Sequence, residues 1–313
     1  MELAPVAPLE LKPDPWQRLL AVGSILSVIV LGIGLFITNA ANRNQQEATR
    51  QQQELAAAGQ IADRFTQAID QLGQPGTDKI DVRLGALYSL ERIMRDSAIN
   101  QPAVVEVIAA FIRVHAPAAR TTPVEQIASP QSFKVPTAPV DIQAAVTVLG
   151  RRDRDHDYLP GGLNLAGTNL AGANLADAKL NGARLELADL RGTFMGKAQL
   201  DGAFLGGANL YASTLDLAGL NGAFLVGADL RYARLHETDL SQADLRNADL
   251  RGADMRGVRL TLADLSGADL RGAVNLSQDD VHCARTDDHT RLPTGVTRPD
   301  AVDPRDLKSC RPR

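Results

Sequence analysis

Four residues near the C-terminus, His282, Cys283, His289 and Cys310, are of the types that hold zinc. A second cluster, RRDRDHD from Arg151 to Asp157, sets carboxylates beside one imidazole. A structural zinc site needs several convergent ligands, usually as closely spaced pairs. The first set fits no such spacing, and the second has the alternating charge of a solvated turn. His115, alone at the end of a helical stretch, is placed to face the last carbonyls of its own helix. No Ser/His/Asp set and no phosphate loop has a convincing context. The chain is therefore expected to have no catalytic residue, no cofactor and no metal, and its function must lie in the elements themselves.

Composition narrows what those elements are. Of 313 residues, 44% are hydrophobic but only 4% aromatic, so Leu and Ala must fill a narrow, repetitive interior. A net charge of −4 is too small for the basic field of a nucleic-acid-binding protein, and no nucleic-acid partner is expected. Two cysteines are too few for a disulfide framework.

From Leu19 to Thr38 the chain reads LLAVGSILSVIVLGIGLFIT, without a charge. That length suits a hydrocarbon core of about 30 Å. It exceeds the apolar core of a signal peptide, and Trp16 sits where an interfacial anchor belongs. The reading is a tail over 1–18 and a single transmembrane helix over 19–38, which makes the membrane the first expected partner. Lys12 and Arg18 before the helix balance Arg43 and Arg50 after it, leaving orientation open.

A helical stalk and a small helical module follow over 39–115. Ile61, Phe65, Ala68 and Leu72 share one face, with Gly73 as a stop, and DVRLGALYSLERIMR from Asp81 repeats the pattern. Pro102 opens another helix at a first-turn position. Five prolines mark 116–139 as a linker. A capping helix and turn occupy 140–160, with Asp141 as N-cap and Gly150 as stop.

The decisive signal begins after Gly161. Every fifth residue from Leu165 to Leu270 is Leu or Met, and the residue two before it is Ala in most repeats. An α-helix would rotate such a repeat by about 140° each time and scatter the leucines. A chain that turns a corner every five residues points them all at one axis, which is a solenoid.

ANL at Ala173 and ADL at Ala188, Ala228, Ala243, Ala248, Ala263 and Ala268 match the consensus A(D/N)LXX, and here the chain resembles the pentapeptide repeat family. The resemblance covers about a third of the chain. It implies a right-handed quadrilateral β-helix over 161–275, four pentapeptides per coil. RLGALYSLERI, VVEVIAAFIR and DIQAAVTVLGRR also look like the front end of bacterial membrane-anchored members, which favours a cytoplasmic solenoid. After Asn275 a capping box at Ser277 and Asp280 predicts a helical cap, within a C-terminal cap and tail over 276–313.

With four repeats per coil, residues 20 apart stack. One face then carries an acidic column (Asp189, Asp229, Asp249, Asp269) beside a column of Arg191, Tyr211, Arg231, Arg251 and Arg271. Mutual neutralisation is the simpler reading of these columns, and a binding strip the alternative. On another face Phe204 and Phe224 stack outward beside Val226, a small apolar patch fit for a partner or for covering by the helical module. The function expected is a non-catalytic, membrane-tethered scaffold for a protein partner. The alternative is a DNA mimic like the gyrase-protecting members of the family. It is disfavoured because 161–275 holds 13 acidic and 11 basic residues, a net of −2 rather than an acidic rod.

Overall fold

The computed structural model describes residues 15–119, 133–156 and 162–299. Within these, the side chains of 15–30, 32–34, 40 and 154 lie outside the described residues. The chain divides into two units, Met1–Asp63 and Arg64–Arg313.

The first unit is dominated by helix α1 (Pro15–Leu72), whose last turns belong to the second unit. Residues 41–60 are exposed all round. Leu31, Leu35, Phe36 and Ile37 are also exposed. Among the described residues no helix is long and apolar enough to cross a membrane. The span expected over Leu19–Thr38 lies within the backbone of α1, but most of its side chains lie outside the described residues.

In the second unit α2 (Ile80–Asp96), α3 (Gln101–His115) and α4 (Val140–Arg151) pack against one another. Leu87, Leu90 and Ile93, then Val104, Ile108 and Ile112, recur at helical spacing and are buried, as are Ile142 and Leu149 of α4 and Ala68 and Leu72 of α1. Asp141 does not cap α4: the N-cap position is Pro139 and no side chain bonds there. Its carboxylate is buried and receives Arg83 Nε at 2.8 Å and NH2 at 2.7 Å. The same guanidinium donates to the carbonyls of Gln74 and Gly76, tying the loop after α1 to α2 and α4.

The solenoid follows the five-residue rhythm. Single parallel bridges join Asn164 to Arg184, Asn169 to Asp189 and so on to Asp254 with Val274, always 20 residues apart, so four pentapeptides make one coil. All Leu and Met centres from Leu165 to Leu270 are buried, as are the residues two before them. Thr168 and Thr193 occupy that small inward position, and their hydroxyls donate to the carbonyls of Leu165 and Leu190. The expected β-helix contains no extended strand among the described residues. Only one residue per side can bridge before the chain turns again.

Each turn is closed by a bond such as Ala173 N–H to Leu170 O at 2.9 Å. The second residue after every centre has positive φ, from Gly162 to Gly272, which is the type II turn requirement. Glycine supplies this at 13 of 23 corners, while residues such as Leu187, Leu217 and Asn247 adopt it at the other 10.

A solenoid leaves the backbone groups of its end coils unpaired unless something covers them. At the N-terminal end the helical module pairs all four sides of the first coil. Arg113 donates to Asn164 O, and Ala116 O accepts from Asn169 N–H. Gln143 both donates to Asn174 O and accepts from Asn174 N–H. Gly150 O accepts from Lys179 N–H, while Arg152 donates to Lys179 O.

At the other end the expected capping box is present, with Ser277 and Asp280 bonded reciprocally at the start of α5 (Gln278–Val281). That helix is only one turn long. The last coil is closed mainly by the irregular segment after it, in which Arg285 bridges Asp264 and Arg291 bridges Asp269. Cys283 in this segment is disulfide-bonded, and the chain's one other cysteine, Cys310, lies outside the described residues.

Two glycines separate backbone strain from crowding. A methyl at Gly222 meets nothing, so Gly222→Ala is expected to cost about 1 kcal/mol through its φ of 64° alone. At Gly172 the methyl would overlap the Pro136 carbonyl oxygen, and Gly172→Ala is expected to cost several times more. Arg83→Ala strands a buried carboxylate and should cost about 3–5 kcal/mol. Chemical denaturation of the three variants checks this ranking.

Candidate interaction surface

The outward positions are set first by the turns. In repeat after repeat the Asp or Asn just before the centre accepts the backbone N–H just after it, as Asp189 does from Arg191 at 3.2 Å and Asn209 from Tyr211 at 3.1 Å. This Asx cap is the physical reason for the second position of the repeat. The acidic column is therefore a turn device before it is an electrostatic one.

The basic column neutralises it. Arg191, Arg231, Arg251 and Arg271 each fork onto their own Asp; in Arg251 the Nε–Oδ1 and NH2–Oδ2 distances are 2.8 and 2.6 Å. Arg271 beside Asp269 holds that carboxyl below the usual carboxylate range, and Arg246 does the same to Asp244. Asp229 is the exception, because its burial outweighs Arg231 and pushes its pKa up.

Tyr211, expected in the same outward column, is fully buried. Phe133 packs edge-on against it at 5.0 Å, and the Arg231 guanidinium lies 5.4 Å from its ring centre. The end of the linker forms a strap here. Val135 and Pro136 lie across Gly172 and Gly192, where no side chain obstructs them. The strap removes Tyr211 from any partner surface, and the paired arginines beside it present little free charge.

The apolar patch is open. Phe204 and Phe224 are 40% and 45% exposed, stacked with centroids 4.9 Å apart and 6° between planes. Val226 is 36% exposed beside them. Leu187, which the sequence reading did not single out, is 69% exposed and lies over Gly207 on the adjoining corner. Its signal was a large apolar residue at a corner position where glycine recurs. Gly202, Gly222 and Gly227 leave open space around the rings, so the patch is flat apart from its aromatic edges.

Among the described residues no group of three or more His, Cys, Asp or Glu could hold a metal. His282 and His289 join no such cluster, and His156 pairs with Asp153 alone at 3.0 Å.

Pentapeptide repeats, in eight copies, match residues 162–196, 195–231, 208–247 and 238–274. Residues 162–274 are thus a run of pentapeptide repeats. Among solved pentapeptide repeat proteins it is similar to Rfr23 of the cyanobacterium Cyanothece 51142. Identity there is 32% over 30% of this chain and 63% of that one, with a TM-score of 0.27. HetL of Nostoc sp. strain PCC 7120, involved in heterocyst differentiation regulation, is 31% identical over 36% of this chain and 60% of its own, with a TM-score of 0.25. The fluoroquinolone resistance protein QnrB1 is 17% identical over 41% of this chain and 78% of its own, with a TM-score of 0.24. The chain thus spans about 60% of the length of the first two solved relatives. No curated protein matches the chain in sequence.

The pentapeptide repeat surface should respond to acid in a defined direction. Asp244 and Asp269 have folded pKa values below the ordinary value of about 3.9. Their stabilisation is complete above that value and is lost as pH falls through the folded values. Asp229, raised by burial, works the other way: its contribution is present in acid and is lost as pH rises through its folded value. The thermal midpoint should fall between pH 5 and pH 2. The Asp269→Asn variant, which can still cap its turn, should show a shallower fall than wild type.

Proposed function

We propose that the protein is a non-catalytic, membrane-tethered scaffold whose solenoid presents a protein-interaction surface at Phe204, Phe224 and Val226. The observation that carries this reading is the exposed, in-register aromatic pair on a solenoid whose edges are capped and whose neighbouring charges are largely paired. Such a surface is rigid before it binds, so little ordering cost opposes association. The uncharged run Leu19–Thr38 is the proposed anchor and the all-round exposed stretch of α1 the spacer. The paired Asp and Arg columns argue against mimicry of the DNA backbone, which calls for unneutralised acidic charge.

The resemblance favours a cytoplasmic solenoid, but the disulfide at Cys283 supports an oxidising compartment, where such bonds persist. The proposed side of the membrane is therefore the non-cytoplasmic one.

Affinity capture of the full chain from solubilised membranes tests the scaffold. Phe204→Asp with Phe224→Asp is expected to lose at least nine-tenths of captured protein, whereas Arg251→Ala retains it. Equal capture by all three chains would remove the patch from the function. Alkaline extraction tests the anchor: full chain remaining in the membrane pellet supports it, and release into the supernatant overturns it. A protease added to intact cells is expected to digest the solenoid, and protection of the solenoid would return it to the cytoplasm.

A further inference from the structure

The columns around the aromatic pair have an order that matters. Down the middle of this side of the solenoid run Arg184, Phe204, Phe224 and Asp244, each bridged to the next. Down the adjoining corner run Glu186, Gly206, Val226 and Arg246. One column therefore reads basic, aromatic, aromatic, acidic, and its neighbour reads acidic, bare, aliphatic, basic. Each is the complement of itself read backwards.

Two copies placed face to face about a dyad running along the side of the square, with solenoid axes opposed, keep each column opposite the same column and reverse its order. Arg184 then faces Asp244 of the second copy, and Glu186 faces Arg246. Phe204 faces Phe224, and the Val226 side chain meets the bare backbone of Gly206. On the other corner Asp201 faces Asn221, so no like charges are opposed. Within one chain Arg184 pairs with Glu186 at 3.2 Å and Arg246 with Asp244 at 2.7 Å. Pairing two copies turns these into a four-charge checkerboard on each side of an apolar centre.

Resting on the reading of this patch as an interaction surface, we infer that its partner is a second copy of this chain, bound as an antiparallel, isologous dimer. Three observations select that occupant. The outward residues repeat once per coil, and another solenoid offers the same spacing. The charges complement only in reversed order. The one aliphatic knob falls opposite the one position of its column without a side chain. Anchoring both copies to one membrane would raise the effective concentration at which so small a patch can act.

Mixed cysteine variants test the register in the full chain. Gly206→Cys chains mixed with Val226→Cys chains should give an interchain disulfide under mild oxidation, and neither variant should cross-link when incubated alone. Exchanging one end by Arg184→Glu with Glu186→Arg preserves the pair within the chain but sets like charges against the partner. In that background cross-linking should fall at least tenfold at an unchanged thermal midpoint. Adding Asp244→Arg with Arg246→Asp should restore it. No cross-link in the mixture, self-cross-linking of either variant alone, or indifference to the exchange would overturn the dimer. The scaffold reading fails separately, through capture of other proteins that does not depend on Phe204 and Phe224.

Discussion

A backbone that must enter the left-handed region every fifth residue governs this protein. Each corner turns the chain, and the turn aims one large and one small side chain at the axis while leaving three positions outside. The interior then admits little beyond Leu or Met with Ala, and the bridges between coils form at one residue per side. Glycine frees the corner of strain, and the Asx cap holds it from the other flank. The cost shows at the corners that lack glycine, where a leucine such as Leu187 is strained and exposed at once.

Charge follows from this geometry. Because the cap requires Asp or Asn, a stacked column of acids arises without selection for charge, and the arginine two residues on relieves it through a forked pair. A surface that looks polyelectrolytic in composition is therefore locally neutral. Its contrast with the stretch around Phe204 and Phe224, where caps give way to rings and bare corners, is what distinguishes one side of the square from the others.

Much of the solenoid was legible because its rule is strict: the central Leu and Met positions, the small residues before them, the 20-residue coil and the capping box at Ser277 can all be read from spacing. What escaped was contact between distant segments. Asp141 has the composition of an N-cap, and only the approach of Arg83 from α2 makes it a buried ion-pair partner. Tyr211 occupies an outward position, and only the strap from Phe133 buries it. Neither partner lies within one repeat or one helix of its mate, so no local period reports it. The Asx caps were local and readable in principle, but they were masked by the stronger impression of charge.

The covering of the first coil by the helical module has a consequence for assembly of the chain. Each coil is built on the exposed backbone of the one before it, as a crystal grows on a face, and the first coil has groups such as Arg113, Ala116, Ala118, Gln143, Gly150 and Arg152 as its template. These groups lie earlier in the chain than any coil, so the seed leaves the ribosome before the layers that grow on it. The solenoid can then be laid down in the order of synthesis, one square at a time, and its length is set where Arg285 and Arg291 close the last face to further growth.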